Sequence, residues 1–199
     1  MKSEKAGLFR RIIAYSIDIV VLYMLLIFLI NIIPQDTKSI NNMNNELSIV
    51  QSEFVKEEIN WVEYIEKTSD LVHKIDRKMV LVNVSNALLI ILLFVIVPTF
   101  KKGQTLGNIL TKTKIIRFDE DNPSINDLIY RSILIAFLGH LVITLALIYI
   151  LPGLGYFILF MILMILEFLL SIINLFMITY RYDKLALHDI LTKTKVIKL

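Results

Sequence analysis

Residues 132–180 are almost continuously apolar and read SILIAFLGHLVITLALIYILPGLGYFILFMILMILEFLLSIINLFMITY. They include no Lys or Arg and a single acid, Glu167. A helix needs about 20 mainly apolar residues to cross a bilayer, so this segment is long enough for two crossings. A proline and two glycines between Leu151 and Gly155 predict a tight turn. We therefore expect an antiparallel hairpin of two membrane helices.

Two further segments of the chain are long and apolar enough to span a membrane. The four predicted spans are 12–33, 79–97, 132–151 and 156–180. Hydrophobic residues make up 56% of the 199 residues, and the mean hydropathy is +0.70. A water-soluble domain of this size cannot bury that much apolar surface. The sequence predicts an all-α integral membrane protein, a four-transmembrane-helix bundle forming one domain over 1–199.

The positive charges divide unevenly between the two sides of such a bundle. Segments 1–11, 98–131 and 181–199 carry 15 of the 21 Lys/Arg, whereas segment 34–78 carries 6 Lys/Arg against 9 Asp/Glu. Loops rich in Lys and Arg stay in the cytoplasm. We therefore expect both termini to be cytoplasmic and residues 34–78 to form an extracytoplasmic insertion.

The outer segment 34–78 has the pattern of an amphipathic helix, because apolar side chains recur along it at spacings of three, four and seven. Thr68, Ser69 and Asp70 offer an N-cap, so we expect one helix over about 46–67 and a second that enters the membrane. The stripe either packs on the bilayer or on another helix, or it binds a partner outside the membrane. Its members are Leu47, Val50, Phe54, Trp61, Ile65, Val72 and Ile75.

A nine-residue motif occurs twice on the side predicted to be cytoplasmic. ILTKTKIIR at 109–117 returns as ILTKTKVIK at 190–198, with seven of nine positions identical. The alternating β-branched residues favour two short strands that pair into a small cytoplasmic β element. Their lysines suit a face beside anionic headgroups and, without interleaved aromatics, do not indicate nucleic-acid binding. After the first copy, Ser124 and Asp127 form a capping-box pattern that predicts a helix start.

Few ionisable side chains enter the predicted spans. All Lys/Arg and 16 of the 18 acids lie outside them. Charged groups within a bilayer face the bundle interior or water and are functional candidates by default. Each span offers one polar face, such as Ala136, His140 and Thr144 on the third, and four such faces turned inward would form a polar core. The candidate ion or proton pathway comprises Asp18, His140, Glu167, Asn83, Asn86, Ser171 and Asn174.

Each ionisable candidate also has a structural interpretation. Asp18 either locks helices together as a hydrogen-bond acceptor or binds a proton or cation, and we expect its partner on another helix or in the loop 103–107. Arg11 leans toward the N-terminus of its helix, so we expect it to snorkel to the headgroups. His140 is either a neutral interhelical donor or a relay. An unpaired mid-membrane Glu167 would be protonated and able to shuttle a proton.

Three blocks of the sequence resemble the signature of RDD-family membrane proteins: FRRIIAYSID at 9–18, GQTLGNIL at 103–110 and LHDILTKT at 187–194. Arg131 opens the third span as the family pattern suggests. The resemblance implies that the Arg and the two Asp of the family name fall on Arg11 (or the adjacent Arg10), Asp18 and Asp189. It places the family's cytoplasmic loop on Gly103, Thr105 and Gly107.

The resemblance implies a protein of the bacterial cytoplasmic (inner) membrane, in a family often suggested to act in transport. Two features depart from the family pattern. Asn108 stands where the family usually has a lysine, which weakens any anion-binding role for that loop. The outer segment 34–78 is longer than the family minimum, so nothing about it carries over.

Three functions compete. A small ion or proton-coupled transporter would use Asp18 and Glu167 as titrating groups and His140 as relay. Because four helices are few for alternating access, we expect such a transporter to be a homo-oligomer. A non-catalytic membrane scaffold or accessory module would use the same residues to fix helix packing. An enzyme is not expected, because the chain has no GxSxG, no HExxH and no cysteine. We expect no metal or cofactor, with the lipid bilayer and a small ion as partners, and favour transport.

Overall fold

The computed structural model describes residues 4–199, which are mostly helical and include one two-stranded sheet. In chain order the elements are α1 (Leu8–Ile30), α2 (Thr37–Val55), α3 (Trp61–Lys78), α4 (Val80–Ile91), α5 (Val97–Phe100), α6 (Leu106–Leu110), β1 (Thr113–Arg117), α7 (Ile125–Ile135), α8 (Leu138–Leu147), α9 (Gly153–Tyr180), α10 (Leu187–Leu191) and β2 (Thr194–Lys198). A π-helical turn at Leu92–Ile96 joins α4 to α5 into one continuous helix.

Three helices are long and apolar enough to cross a membrane: Leu8–Ile30, Val80–Phe100 and Gly153–Tyr180. They correspond to the predicted spans 12–33, 79–97 and 156–180 and differ from them by a few residues at the ends. The last helix starts at Gly153 rather than at Tyr156, because the extended backbone of Pro152 provides its N-cap. Three of the four expected spans are therefore present as single apolar helices.

The third predicted span is not a single helix. The segment expected as one helix over 132–151 is divided into α7 and α8, whose axes differ by 77°. Phe137, between them, has a left-handed backbone with φ of 57°. This conformation is strained for a bulky residue and interrupts the helical hydrogen bonds. Ala136, His140 and Thr144 therefore do not form the continuous helix face expected from their spacing.

The outer segment is helical, as expected, but the predicted helix boundaries are wrong. The chain turns at residues 56–60, inside the helix predicted over 46–67. Asn60 caps α3, because its side-chain oxygen accepts hydrogen bonds from the backbone N–H groups of Val62 and Glu63. In turn, the Glu63 carboxylate accepts a hydrogen bond from the backbone N–H of Asn60. Residues 68–70, the expected N-cap, lie within α3. We call α2 and α3 together the outer hairpin.

The two copies of the repeat pair with each other, which confirms the expected β element. β1 and β2 are antiparallel, and Ile115 lies opposite Val196, its equivalent in the other copy. Each copy starts in the last two residues of a five-residue helix, α6 or α10, and turns into its strand at a lysine with positive φ, Lys112 or Lys193. The repeat thus has a local pseudo-twofold axis through Ile115 and Val196. We call residues 104–117 and 185–198 the cap.

The N-terminal segment joins the same cap. The backbone N–H of Ala6 donates to Val196 O at 2.9 Å, and that of Lys198 donates to Glu4 O at 2.9 Å. Val95 and Leu128 pack with Ala6 and Val196 in one buried cluster, so the cap is fixed to the helix Val80–Phe100 and to α7. Both ends of the described chain therefore lie at one end of the bundle.

Candidate functional site

Asp18 is buried where α1 meets the start of α6. Thr105 Oγ1 donates to Asp18 Oδ2 at 2.6 Å, and the backbone N–H of Gly107 donates to Oδ1 at 2.7 Å. The partner expected in the loop 103–107 is thereby confirmed. The close approach of α6 to α1 requires a glycine at position 107, because a Cβ atom there would overlap the carbonyl oxygen of Ala14. The Asp18 carboxylate thus fastens the first apolar helix to the first half of the cap.

Asp189 lies in the second half of the cap, and its side chain has no exposed surface. Arg11 Nη1 donates to Oδ2 at 2.7 Å and Arg131 Nη1 donates to Oδ1 at 2.5 Å. The backbone N–H of Ala186 adds a third bond at 3.1 Å, and His188 Nε2 lies 3.3 Å away. One carboxylate therefore connects α1, α7 and α10.

The charge states of this cluster follow from burial and from its two arginines. Burial alone raises the pKa of the Asp189 carboxyl, but Arg131, the hydrogen bond from His188 and Arg11 hold that pKa well below its usual value. Burial, and then the positive charge of Arg131, lowers the pKa of His188 to about 4. At neutral pH Asp189 is ionised and His188 is neutral.

A second ionisable pair lies where the third span is broken. His140 Nδ1, in the first turn of α8, is 3.4 Å from Glu167 Oε2, and the two side chains are 9% and 16% exposed. The backbone N–H of His140 also faces the carboxylate. The pair does not form a hydrogen bond, and neither Nδ1 nor Oε2 has a hydrogen-bond partner within residues 4–199. Two polar atoms are thus buried side by side without partners near the middle of α9.

A cavity of about 250 Å³ separates the Asp18 contact from the Asp189 cluster. Of the predicted pathway, Asp18, Ser171 and Asn174 line it, together with Arg11 and the loop residue Thr105. Asn174 reaches the cluster, because its Oδ1 accepts from the backbone N–H of His188 at 3.3 Å. The other pathway residues do not line the cavity.

The sequence identifies the family of the chain. The profile of the RDD family matches residues 5–193, a range that includes the first two signature blocks and all but the last residue of the third. The chain belongs to the RDD family. No curated protein and no solved structure matches it significantly.

In this RDD protein the three signature residues have structural partners. Arg11 and Asp189 meet in one ion pair, and Asp18 bonds to the glycine loop. The expectation that Arg11 snorkels to the headgroups is wrong. Its side chain is 8% exposed, because α10 folds back against the start of α1 and supplies a carboxylate from 178 positions along the chain.

The predicted polar core of this RDD protein is divided into separate groups. Asp18 and Asp189 belong to two contacts at the cap, and His140 and Glu167 form a third. Asn83 and Asn86 lie apart on α4, where Asn86 Oδ1 is buried and has no hydrogen-bond partner among the described residues. The four helices therefore do not bring all their polar faces to one centre.

Arg131 is the site residue whose role the sequence did not reveal. It donates to Asp189 and, at 2.9 Å, to Thr194 Oγ1, and it is 8% exposed. The available signal was a single arginine directly before an apolar segment, a position that also suits headgroup contact. Only the folded cap shows that this arginine points inward.

Proposed function

We propose that this RDD protein is a small ion or proton-coupled transporter in which Glu167 and His140 form the titrating pair. The observation that carries the proposal is the position of Glu167 opposite the break between α7 and α8. Transporters commonly bind substrate and coupling ions where a membrane helix is discontinuous, because the broken backbone exposes polar groups. Here the first turn of α8 faces a carboxylate from the middle of α9.

The unpartnered atoms of this pair suit proton or cation exchange. Buried polar atoms in native proteins nearly always have partners, so an orphaned donor–acceptor pair needs an explanation. A proton shared between His140 and Glu167, or a small cation beside the carboxylate, supplies the missing interaction. Asp18 and Asp189 differ, because protein donors already occupy both oxygens of each. We assign these two carboxylates to holding the cap on the helices.

The proposal includes four crossings with both termini in the cytoplasm of a bacterial inner membrane. The N- and C-terminal segments are hydrogen-bonded to each other and therefore lie on the same side of the membrane. This supports an even number of crossings. Three continuous helices account for three crossings, and the bent α7–α8 pair supplies the fourth. The pair also extends from the cap to the opposite end, where His73 of the outer hairpin contacts Ile148 O at 2.7 Å.

This topology can be tested directly, since the chain has no cysteine. In intact cells, a membrane-impermeant thiol reagent should label Glu58→Cys, at the turn of the outer hairpin, and spare Lys101→Cys, at the cap end. After cell lysis both should react. Labelling of Lys101→Cys in intact cells would contradict the proposed orientation.

The transport proposal is tested by proton and sodium flux in proteoliposomes. Wild-type protein should carry a flux above that of empty liposomes, and Glu167→Gln should abolish it while leaving the elution profile and thermal unfolding unchanged. Ser85→Ala, on an exposed part of α4, is a matched control that should retain the flux. A wild-type flux equal to that of empty liposomes would refute transport.

A membrane scaffold is the second candidate, and the complete bonding of Asp18 and Asp189 favours it. In that case the buried polar groups fix helix packing, and the protein presents the outer hairpin or the cap to a partner. Only a small share of α9 is buried, so lipid or a second copy of the chain covers the rest under either proposal. If Glu167→Gln alters assembly rather than flux, the scaffold is the better account.

A further inference from the structure

The cavity between α1, α7, α9 and the cap combines a mostly apolar wall with a few buried polar groups. Its wall includes six polar residues that are each less than a tenth exposed: Asp18, Thr105, Asn108, Arg131, Ser132 and His188. Buried donors and acceptors need partners. A half-open cavity of about 250 Å³ with an apolar wall and a few polar groups is typical of a binding site.

The mouth of the cavity opens on an apolar helix surface. Ile12 of α1 and Leu175 of α9 line it and are 43% and 50% exposed. Ser171, one turn before Leu175, is exposed at the same place. Because α1 and α9 are both spanning helices, this surface faces lipid. An occupant that enters here comes from the bilayer and has an apolar part.

Arg131 supplies unused donors to this cavity. Its Nη1 bonds to Asp189 and Thr194, but within residues 4–199 neither Nε nor Nη2 has an acceptor. A guanidinium has five N–H donors, and its planar edge fits a phosphate or carboxylate. Arg11 differs, because all three of its nitrogens donate to protein oxygens. The Nε and Nη2 groups of Arg131 are thus available to donate hydrogen bonds to an oxyanion.

The charges near Arg131 agree with this assignment. Two arginines share one carboxylate, Asp189, which is fully buried and does not line the cavity. His188 adds no charge at neutral pH. Asp18 is the acid on the wall, and its two oxygens are occupied by Thr105 and Gly107. It lies two helical turns from Arg11, about 10 Å along α1, so the Arg131 end keeps an excess of one positive charge.

We propose that the cavity binds the phosphate of an anionic membrane lipid, with Arg131 as the contacting residue and an acyl chain lying across Ile12 and Leu175. The apolar mouth favours a lipid over free phosphate as the source of the oxyanion. The site is distinct from the His140–Glu167 pair and does not depend on transport.

The test is native mass spectrometry of the full-length protein in a neutral detergent. The probes are phosphatidylglycerol, phosphatidylcholine and inorganic phosphate. Ser171→Phe fills the mouth without touching the Asp189 cluster, and Ile172→Phe, next to it on α9 and outside the cavity, is the matched control. Arg131→Lys keeps the charge but removes the planar donor edge.

Wild-type protein should retain phosphatidylglycerol in preference to phosphatidylcholine, and millimolar phosphate should not displace it. Ser171→Phe should weaken retention about tenfold or more, as should Arg131→Lys through loss of a charge-assisted hydrogen bond, whereas Ile172→Phe should match wild type. Equal retention by Ser171→Phe and Ile172→Phe would overturn the site. Displacement by phosphate would overturn the lipid as its source.

Discussion

Lowering the pH from about 7.5 to about 5 should destabilise the protein through His188. The ring is buried beside Arg131 and Arg11, and burial lowers its pKa to about 4, against about 6.5 in an unfolded chain. The unfolded state therefore binds the proton more tightly. Stability is complete above pH 6.5 and falls as the pH drops toward 4. For these two pKa values the loss between pH 7.5 and pH 5 is about 2 kcal/mol.

The assay is unfolding in mixed detergent micelles at the two pH values, followed by far-ultraviolet circular dichroism. Fluorescence is less suitable, because the single tryptophan, Trp61, lies in the outer hairpin. His188→Gln should remove most of the pH-dependent loss, since glutamine does not titrate. His73→Gln, in the outer hairpin, is the matched histidine control and should retain it.

The opposite result has a clear structural meaning. His188 has two acceptors, because Nδ1 lies 3.0 Å from Asn174 Oδ1 and Nε2 lies 3.3 Å from Asp189 Oδ1. A doubly protonated ring would donate to both. If wild-type protein gains stability at pH 5 relative to His188→Gln, these two hydrogen bonds stabilise the protonated ring more than burial and the two arginines destabilise it. In that case protonation of His188 does not destabilise the protein.

Three substitutions test the packing. Gly107→Ala should cost about 3 kcal/mol or more of unfolding free energy in detergent, because the added methyl group overlaps the Ala14 carbonyl and separates α6 from Asp18. Asn60→Ala should remove the α3 cap, cost about 1 kcal/mol and speed proteolysis at the turn of the outer hairpin. Tyr156→Phe should cost about 1 to 2 kcal/mol in thermal unfolding, because Asp76 loses a 2.9 Å hydrogen bond.

Each of these substitutions has a contradicting result. Wild-type stability of Gly107→Ala would show that α6 does not approach α1 this closely. Unchanged proteolysis of Asn60→Ala would mean that α3 does not begin at Asn60. If Tyr156→Phe unfolds like wild type, the contact between α3 and α9 is not maintained by that bond.

Features with a local cause could be predicted from the sequence. Apolar runs identified three membrane helices, and the repeated ILTKTK segment predicted two paired strands. Ser124 was predicted to cap α7, and its side chain does accept from the Asp127 backbone N–H at 3.2 Å. The Asn60–Glu63 capping box has the same kind of signal, whereas the N-cap expected at residues 68–70 is wrong.

Features that depend on distant contacts could not be predicted. No proline marks the break at Phe137, and a bulky residue is not expected to adopt a left-handed backbone. The partners of Asp189 come from residues far away in the sequence, so Arg11 was assigned to the headgroups. Helical periodicity predicted the polar face of each span but not how the spans are rotated relative to one another. It therefore could not show that Glu167 lies beside His140, or that Asp18 belongs to a separate contact.

We propose that the buried carboxylates have different tasks, with Glu167 moving charge and Asp18 holding the fold. Proton uptake into proteoliposomes, per folded protein, distinguishes the two tasks when Glu167→Gln and Asp18→Asn are measured side by side. We expect Glu167→Gln to fold normally without uptake, and Asp18→Asn to be less stable but to keep its uptake per folded molecule. Uptake that persists in Glu167→Gln and is lost in well-folded Asp18→Asn would contradict this proposal.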